Sequence, residues 1–265
     1  GNTALAQRTP RVPCGQSGRT SRTEANGTRV EWRDVSAAVP QGIPMNISPA
    51  MLPADWYLLG HFGVIGVLAW IIRTVSWREL VERAQAHHFL GACVALFALW
   101  HLHPPAIGGI ELHLLGATAF TLMVGPQLAI LGLGVVLGGL VATGQMDPAA
   151  YSLNALLLAV LPVCLSWGVL RTVERHLPRN IFVYIFASAF FSAALAMGLS
   201  GSSMLGLVAT FADPAQSSFA VQMLPYCLFL AFAEATLTGM VITILVVYRP
   251  EWVGTFDDDR YLRRG

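Results

Sequence analysis

The sequence predicts an all-α, polytopic integral membrane protein with about seven membrane spans. Composition, the spacing of apolar runs and the placement of arginine all support this fold class. Of the 265 residues, 55% are hydrophobic and only 12% are charged, with a mean hydropathy of +0.59. Soluble domains carry about 25% charged residues. The long apolar runs between the charged stretches are therefore expected to be transmembrane helices.

Seven apolar runs follow Met45 along the chain. They cover residues 56–72, 87–102, 114–124, 128–143, 153–170, 181–199 and 219–248. A helix needs about 20 apolar residues to cross a bilayer, so the third run is expected to be a short re-entrant or half-length span. Together with the fourth run it should dip into the membrane and return, turning at Gly125-Pro126-Gln127.

Arginine placement predicts the orientation of these spans. Clusters of arginine follow the first, fifth and last runs, at Arg73, Arg78, Arg83, Arg171, Arg175, Arg179, Arg249, Arg260, Arg263 and Arg264. Cytoplasmic loops are enriched in basic residues, whereas the connections 104–113, 144–152 and 201–218 contain none. We therefore expect a bacterial inner-membrane protein with its N-terminus outside and its C-terminus in the cytoplasm.

Three segments differ in character. Residues 1–44 contain six arginines and no apolar stretch, a composition that predicts a disordered extension. Membrane-protein sequence begins at Met45, which we interpret as the physiological start, so that residues 1–44 would be upstream sequence not translated in vivo. Residues 45–250 are expected to form a single transmembrane helical domain, and residues 251–265 a cytoplasmic tail.

A polar break between the second and third runs is a candidate metal site. It contains His101, His103, Glu111 and His113. Imidazole is the commonest metal ligand, and a histidine left unpaired near the bilayer is costly, so clustered membrane histidines point to a function. His101 and His103 would diverge by about 200° on a regular helix, so joint ligation requires a broken helix. Otherwise they are interfacial anchors beside Trp100.

Read from His103 to Pro126, the stretch H-P-P-A-I-G-G-I-E-L-H-L-L-G-A-T-A-F-T-L-M-V-G-P resembles a known family. That family is the substrate-capture permease subunit of energy-coupling-factor cobalt and nickel importers. Further similarities are M-N-I-S-P-A-M-L-P-A-D-W from Met45, S-L-N-A-L-L-L around Asn154 and A-F-A-E-A-T-L-T-G-M around Glu234.

The resemblance implies that a divalent cobalt or nickel ion is the transported substrate and that no cofactor is permanently bound. The implied ligands are the N-terminal amine of Met45, the second residue Asn46 and the loop histidine His113. The family has histidine where this chain has Asn46, and an amide is a poorer ligand for these metals than an imidazole. Either His101 or His103 replaces the missing nitrogen, or the ion belongs to another class.

Two polar residues inside apolar runs are expected to support the site. A carboxylate within a membrane helix should be paired, protonated or facing a polar pathway, so Glu234 is interpreted as a structural or pathway-lining residue, with Asn154 as its partner. The alternative is a protonated core glutamate bonded to a neighbouring helix. Glu111 is a second ligand, an orienting partner of an imidazole, or a solvated loop residue.

No G-x-x-x-x-G-K-[S/T] motif occurs, so the chain does not contain a nucleotide-binding P-loop. We expect a transporter subunit and not an enzyme, working with a transmembrane coupling subunit and ATP-binding subunits. No nucleic-acid partner is expected. The alternatives are a membrane metalloenzyme or assembly factor using the same histidines, and a scaffold-only family member with an unknown substrate.

Overall fold

A computed structural model describes residues 47, 49, 51–75, 86–101 and 114–257, and the regular structure in these ranges is helical. We number seven helices within this part of the chain. They are α1 (Ala54–Thr74), α2 (Ala86–His101), α3 (Ala117–Val124), α4 (Pro126–Ala142), α5 (Pro148–His176), α6 (Ile181–Phe211) and α7 (Pro214–Tyr248). The all-α prediction is confirmed for the described residues.

Four of the seven helices within the described residues have the length of membrane spans, and the surface is apolar. α1, α5, α6 and α7 are long and apolar enough to cross a bilayer, while α2 and α4 are shorter apolar helices. Large apolar side chains point outward, with Phe62 72% and Phe229 74% exposed. Several serine and threonine side chains are instead buried. A soluble protein rarely exposes so much apolar surface, so the chain is a membrane protein.

The predicted boundaries are wrong at two places. We predicted a connection over residues 201–218, but α6 continues to Phe211 and α7 begins at Pro214, after Asp213 has capped its first amides. Gly201 packs close to Cys227 of α7, and backbone groups in lipid are satisfied most simply by staying helical. Small and polar residues therefore signalled helix packing here, and not a loop.

The turn predicted at Gly125-Pro126 is present. Gly125 has φ +84 between α3 and α4, and Pro126 is the first residue of α4. Proline is favourable there because the first helical amide needs no partner within the helix. The third apolar run becomes an eight-residue helix that starts at Ala117, four residues after His113.

Two of the long helices contain wide turns. In α5 the segment Leu156–Val160 is a π-helix directly ahead of Pro162, and in α6 the segment Tyr184–Phe191 is another. Proline cannot donate an amide hydrogen bond, so the wider π-helical turn before Pro162 allows α5 to continue through this residue as a helix. Such π segments occur often at functional sites.

The short helix α3 lies at the centre of the bundle. It packs against α4, α5, α6 and α7, and five of its eight residues are buried. Outside it, α2 packs on α4, and α1 packs on the first turns of α5. Leu115, two residues before α3, is 1% exposed and so lies inside the bundle as well.

Candidate metal-binding site

The first anchor of the site is the side chain of Asn154, which holds the backbone of Ile47. The Ile47 amide donates to Asn154 Oδ1 at 2.8 Å, and Asn154 Nδ2 donates to the Ile47 carbonyl oxygen at 3.1 Å. Asn154 is fully buried and Ile47 is 1% exposed. A buried backbone without such partners would be costly, so the pairing fixes the chain at Ile47 inside the bundle.

The second anchor is Glu234, a residue of α7 that is 1% exposed. Its carboxylate accepts the amide of Leu115 at 2.9 Å and the amide of Gly116 at 2.7 Å. Amides just before a helix lack partners within it, and a negative charge is favourable at that end of the helix dipole. Glu234 therefore caps α3 from a neighbouring helix.

Trp100 and Gly116 complete the second anchor. The indole Nε1 of Trp100 donates to the Leu115 carbonyl oxygen at 3.1 Å. Gly116 has φ +64, a left-handed conformation that favours glycine, and it allows successive amides to reach one carboxylate. A Cβ at Gly116 would also lie 2.5 Å from Leu96 Cδ2.

The two anchors adjoin the predicted ligands in sequence. Asn46 directly precedes Ile47, and His113 lies two residues before Leu115. Ile47, Leu115 and Trp100 belong to one buried hydrophobic cluster. The five predicted residues Met45, Asn46, His103, Glu111 and His113 lie outside the described residues, so their roles stay predictions.

His101 is the one predicted ligand within the described part of the chain. It is the last residue of α2, is partly buried, and stacks on Phe97 with ring centroids 5.4 Å apart. Its Nδ1 is buried and has no hydrogen-bond partner among the described residues. Within those residues, no group of three or more histidine, cysteine, aspartate or glutamate side chains could hold a metal.

The predicted pairing of Asn154 with Glu234 is wrong. Each side chain instead holds a backbone segment that is more than 100 residues away along the chain. The first amides before α3 do not point into an open cavity, because Glu234 accepts them. Trp100 was missed as a functional residue, although a tryptophan next to a histidine-bearing break needs a partner for its indole N–H once it is buried.

The chemistry of the described site is therefore positioning. The Asn154 amide and the Glu234 carboxyl group each fix a backbone segment that adjoins predicted ligands in the sequence. No ion pair within the described part of the chain involves Glu234; the pairs found there are Arg171 with Glu174 and Arg249 with Glu251. Both carboxyl oxygens of Glu234 are held by backbone amides.

Comparison with known proteins identifies one family and one fold. Residues 46–252 match the family described as the cobalt uptake substrate-specific transmembrane region, CbiM. A crystal structure of a truncated transition metal transporter superposes with a TM-score of 0.64 at 16% identity, covering 77% of this chain and 99% of that chain. A second crystal structure of a transition metal transporter superposes with a TM-score of 0.60 at 17% identity, covering 76% of this chain and 92% of that chain. None of the curated proteins compared with the chain matches it.

Proposed function

The chain belongs to the family of cobalt-uptake substrate-specific transmembrane regions, and we propose that it is the metal-capturing membrane subunit of an energy-coupling-factor importer. The substrate is a divalent ion of the cobalt or nickel class, carried as cargo. The single observation that most supports this is the pair of backbone anchors at Ile47 and at Leu115–Gly116. They restrict the two chain segments that bear the proposed ligands.

The proposed ligands are the amine of Met45, Asn46 and His113. His101 and His103 are the candidates to supply the imidazole that Asn46 lacks, and the unpartnered Nδ1 of His101 supports including it. Glu111 is a candidate orienting residue. Nitrogen ligands suit both cobalt and nickel, so the donor set does not favour one over the other.

Ile47 is buried and paired two residues after Met45. A free amine at Met45 could therefore coordinate an ion beside the anchor, whereas an extension of 44 residues would remove that amine. We propose that the working protein starts at Met45. Mass spectrometry of the natively expressed protein tests this, and an abundant N-terminal peptide from before Met45 would contradict it.

Transport requires energy that this chain does not provide, because it contains no P-loop and not a single lysine. We propose that a transmembrane coupling subunit and ATP-binding subunits associate with it at the arginine-bearing ends of its helices. We assign those ends to the cytoplasm of a bacterial inner membrane by the positive-inside rule. Co-purification of the wild-type protein with such subunits tests the proposed association.

The decisive experiment measures Co²⁺ and Ni²⁺ binding by calorimetry on protein that begins at Met45, in lipid nanodiscs. We expect His113→Ala to weaken the affinity by about 100-fold or more, because it removes a direct ligand whereas supporting residues alone are worth 10–100-fold. His176→Ala is the matched control, since that histidine is exposed at the end of α5, where its Nδ1 contacts the Thr172 carbonyl oxygen. Equal affinities in the wild type and His113→Ala would reject the proposed site.

Asn46→His separates the two functional candidates. An imidazole should tighten Co²⁺ or Ni²⁺ binding by about tenfold if the scaffold still captures these metals. A scaffold-only family member is the second candidate, and Asn46 itself favours it. That candidate would be supported if the wild type bound neither ion while Asn46→His bound both.

A further inference from the structure

The chain that follows α7 returns to the far end of α3. The Gly254 amide donates to the Met123 carbonyl oxygen at 2.8 Å, and the Thr255 amide donates to the Leu122 carbonyl oxygen at 3.2 Å. Thr255 Oγ1 donates to the same Leu122 oxygen at 2.8 Å. The last carbonyls of a helix have no partner within it, so these residues cap the C-terminal end of α3.

Two side chains of this C-terminal segment, residues 249–257, are buried in the bundle. Val253 is 1% and Phe256 is 8% exposed. The Tyr184 hydroxyl is 2.7 Å from Thr255 Oγ1, and since Oγ1 donates to Leu122, the tyrosine is the donor between them. The Trp252 ring lies 4.4 Å from the His88 ring, centroid to centroid.

Gly254 makes the close approach to α3 possible. A Cβ at this position would lie 2.8 Å from the Met123 carbonyl oxygen, a distance that real Cβ atoms essentially never show. The obstructing atom belongs to the backbone, so it cannot move aside as the end of a flexible side chain can. Any larger residue must displace the C-terminal segment from α3.

Both ends of α3 are thus held by α7 and its continuation. Glu234 holds the start at Leu115 and Gly116, and Gly254 with Thr255 holds the end. Eight residues at 1.5 Å each give a helix of about 12 Å. A helix of this length moves as one unit, so a change at one end is transmitted to the other.

We infer that the C-terminal segment positions, through α3, the backbone at Leu115 and Gly116, which follows the proposed ligand His113 in sequence, and that Gly254 and Thr255 are positioning residues for the metal site. The consequence for metal binding rests on the proposed function, whereas the mechanical coupling does not. A partner subunit that displaced this segment would loosen the backbone at Leu115 and Gly116, and so lower the affinity for the ion.

Hydrogen–deuterium exchange of the protein in nanodiscs without metal tests the coupling. We expect Gly254→Ala to raise the exchange rate at Leu115 and Gly116 about tenfold, as in a local opening, while α6 exchanges as in the wild type. Gly168→Ala is the matched control, because a Cβ there has nothing within 4 Å.

Thr255→Val is a milder second variant, in case Gly254→Ala fails to fold. It removes the hydroxyl that bonds Leu122 and Tyr184, and Thr255→Ser should restore wild-type exchange. Faster exchange confined to residues 122–125, with Leu115 and Gly116 unchanged, would overturn the inference. So would a uniform increase that includes α6, because that is global destabilisation.

Co²⁺ titration of the same proteins distinguishes this inference from the proposed function. We expect Gly254→Ala and Thr255→Val to weaken Co²⁺ binding by about five- to tenfold. This is at or below the lower end of the range of about 10–100-fold for residues that support metal ligands. If the wild type binds and His113→Ala does not, but both tail variants bind as the wild type, the inference fails and the proposed function stands. If the wild type binds no ion, the proposed function fails and the exchange result still decides the coupling.

Discussion

The two backbone anchors solve the same problem with opposite chemistry. Asn154 offers an acceptor and an NH₂ donor group, which match the N–H and the C=O of the single residue Ile47, and the same Nδ2 also donates to Met146 Sδ at 3.5 Å. Glu234 offers acceptors alone, which match two successive amides at Leu115 and Gly116. The difference shows that the backbone donors and acceptors at each anchor determine which type of side chain can pair with them.

The difference also decides where charge is tolerated. Glu234 sits at the positive end of the α3 dipole and receives two short bonds from amides, which suits a carboxylate. Asn154 faces a carbonyl oxygen as well as an amide. If aspartate replaced it, a second carboxylate oxygen would stand where Nδ2 now donates to the Ile47 carbonyl oxygen at 3.1 Å, and the two oxygens would repel each other. Exchanging amide and carboxylate at each anchor therefore tests the comparison.

The largest effect is expected for Asn154→Asp. A carboxylate here is buried without a cation and opposes the Ile47 carbonyl, which should lower the free energy of unfolding by about 4 kcal/mol at neutral pH. Equilibrium unfolding of the metal-free protein by dodecyl sulfate measures this. A loss below that of Glu234→Gln would contradict the view that this anchor must be neutral.

A smaller loss is expected for Glu234→Gln, which keeps the size of the side chain. One of the two backbone amides keeps an oxygen acceptor, while the other faces the new NH₂ group. Because a buried carboxylate is also removed, the free energy of unfolding should fall by only about 2 kcal/mol. Exposed Glu251→Gln is the control and should change the unfolding free energy little. Metal affinity should fall with Glu234→Gln, and an unchanged affinity would separate this anchor from the site.

The smallest effect is expected for Gly116→Ala, which keeps both anchoring side chains but strains the backbone at Gly116, within the second anchor. A left-handed conformation costs a residue with a Cβ about 1–2 kcal/mol, and the new methyl group also displaces the Leu96 side chain. Gly168→Ala in α5 is the matched control, because its surroundings are open. Thermal unfolding of both variants checks the difference, and equal midpoints would remove the argument for glycine at this position.

Much of this architecture could be predicted from one chain, since membrane helices depend on local composition. The apolar runs became helices, and the turn at Gly125-Pro126 is present because both residues have strong backbone preferences. Asn154 and Glu234 stood out because polar residues are costly in apolar runs. Their partners could not be predicted, since they are backbone groups, which every residue carries and which leave no mark in the sequence.

By itself, the sequence determined that this protein is helical and lies in a membrane, through its composition and its apolar runs. Its similarity to known sequences showed that it belongs to a metal-uptake family and predicted that Asn46 stands where that family has a histidine. Only the tertiary structure decided that Asn154 holds Ile47, that Glu234 caps α3, and that Gly254 and Thr255 reach its other end. The physical reason is that buried backbone N–H and C=O groups must find partners in space, and packing alone determines which side chains are near enough to provide them.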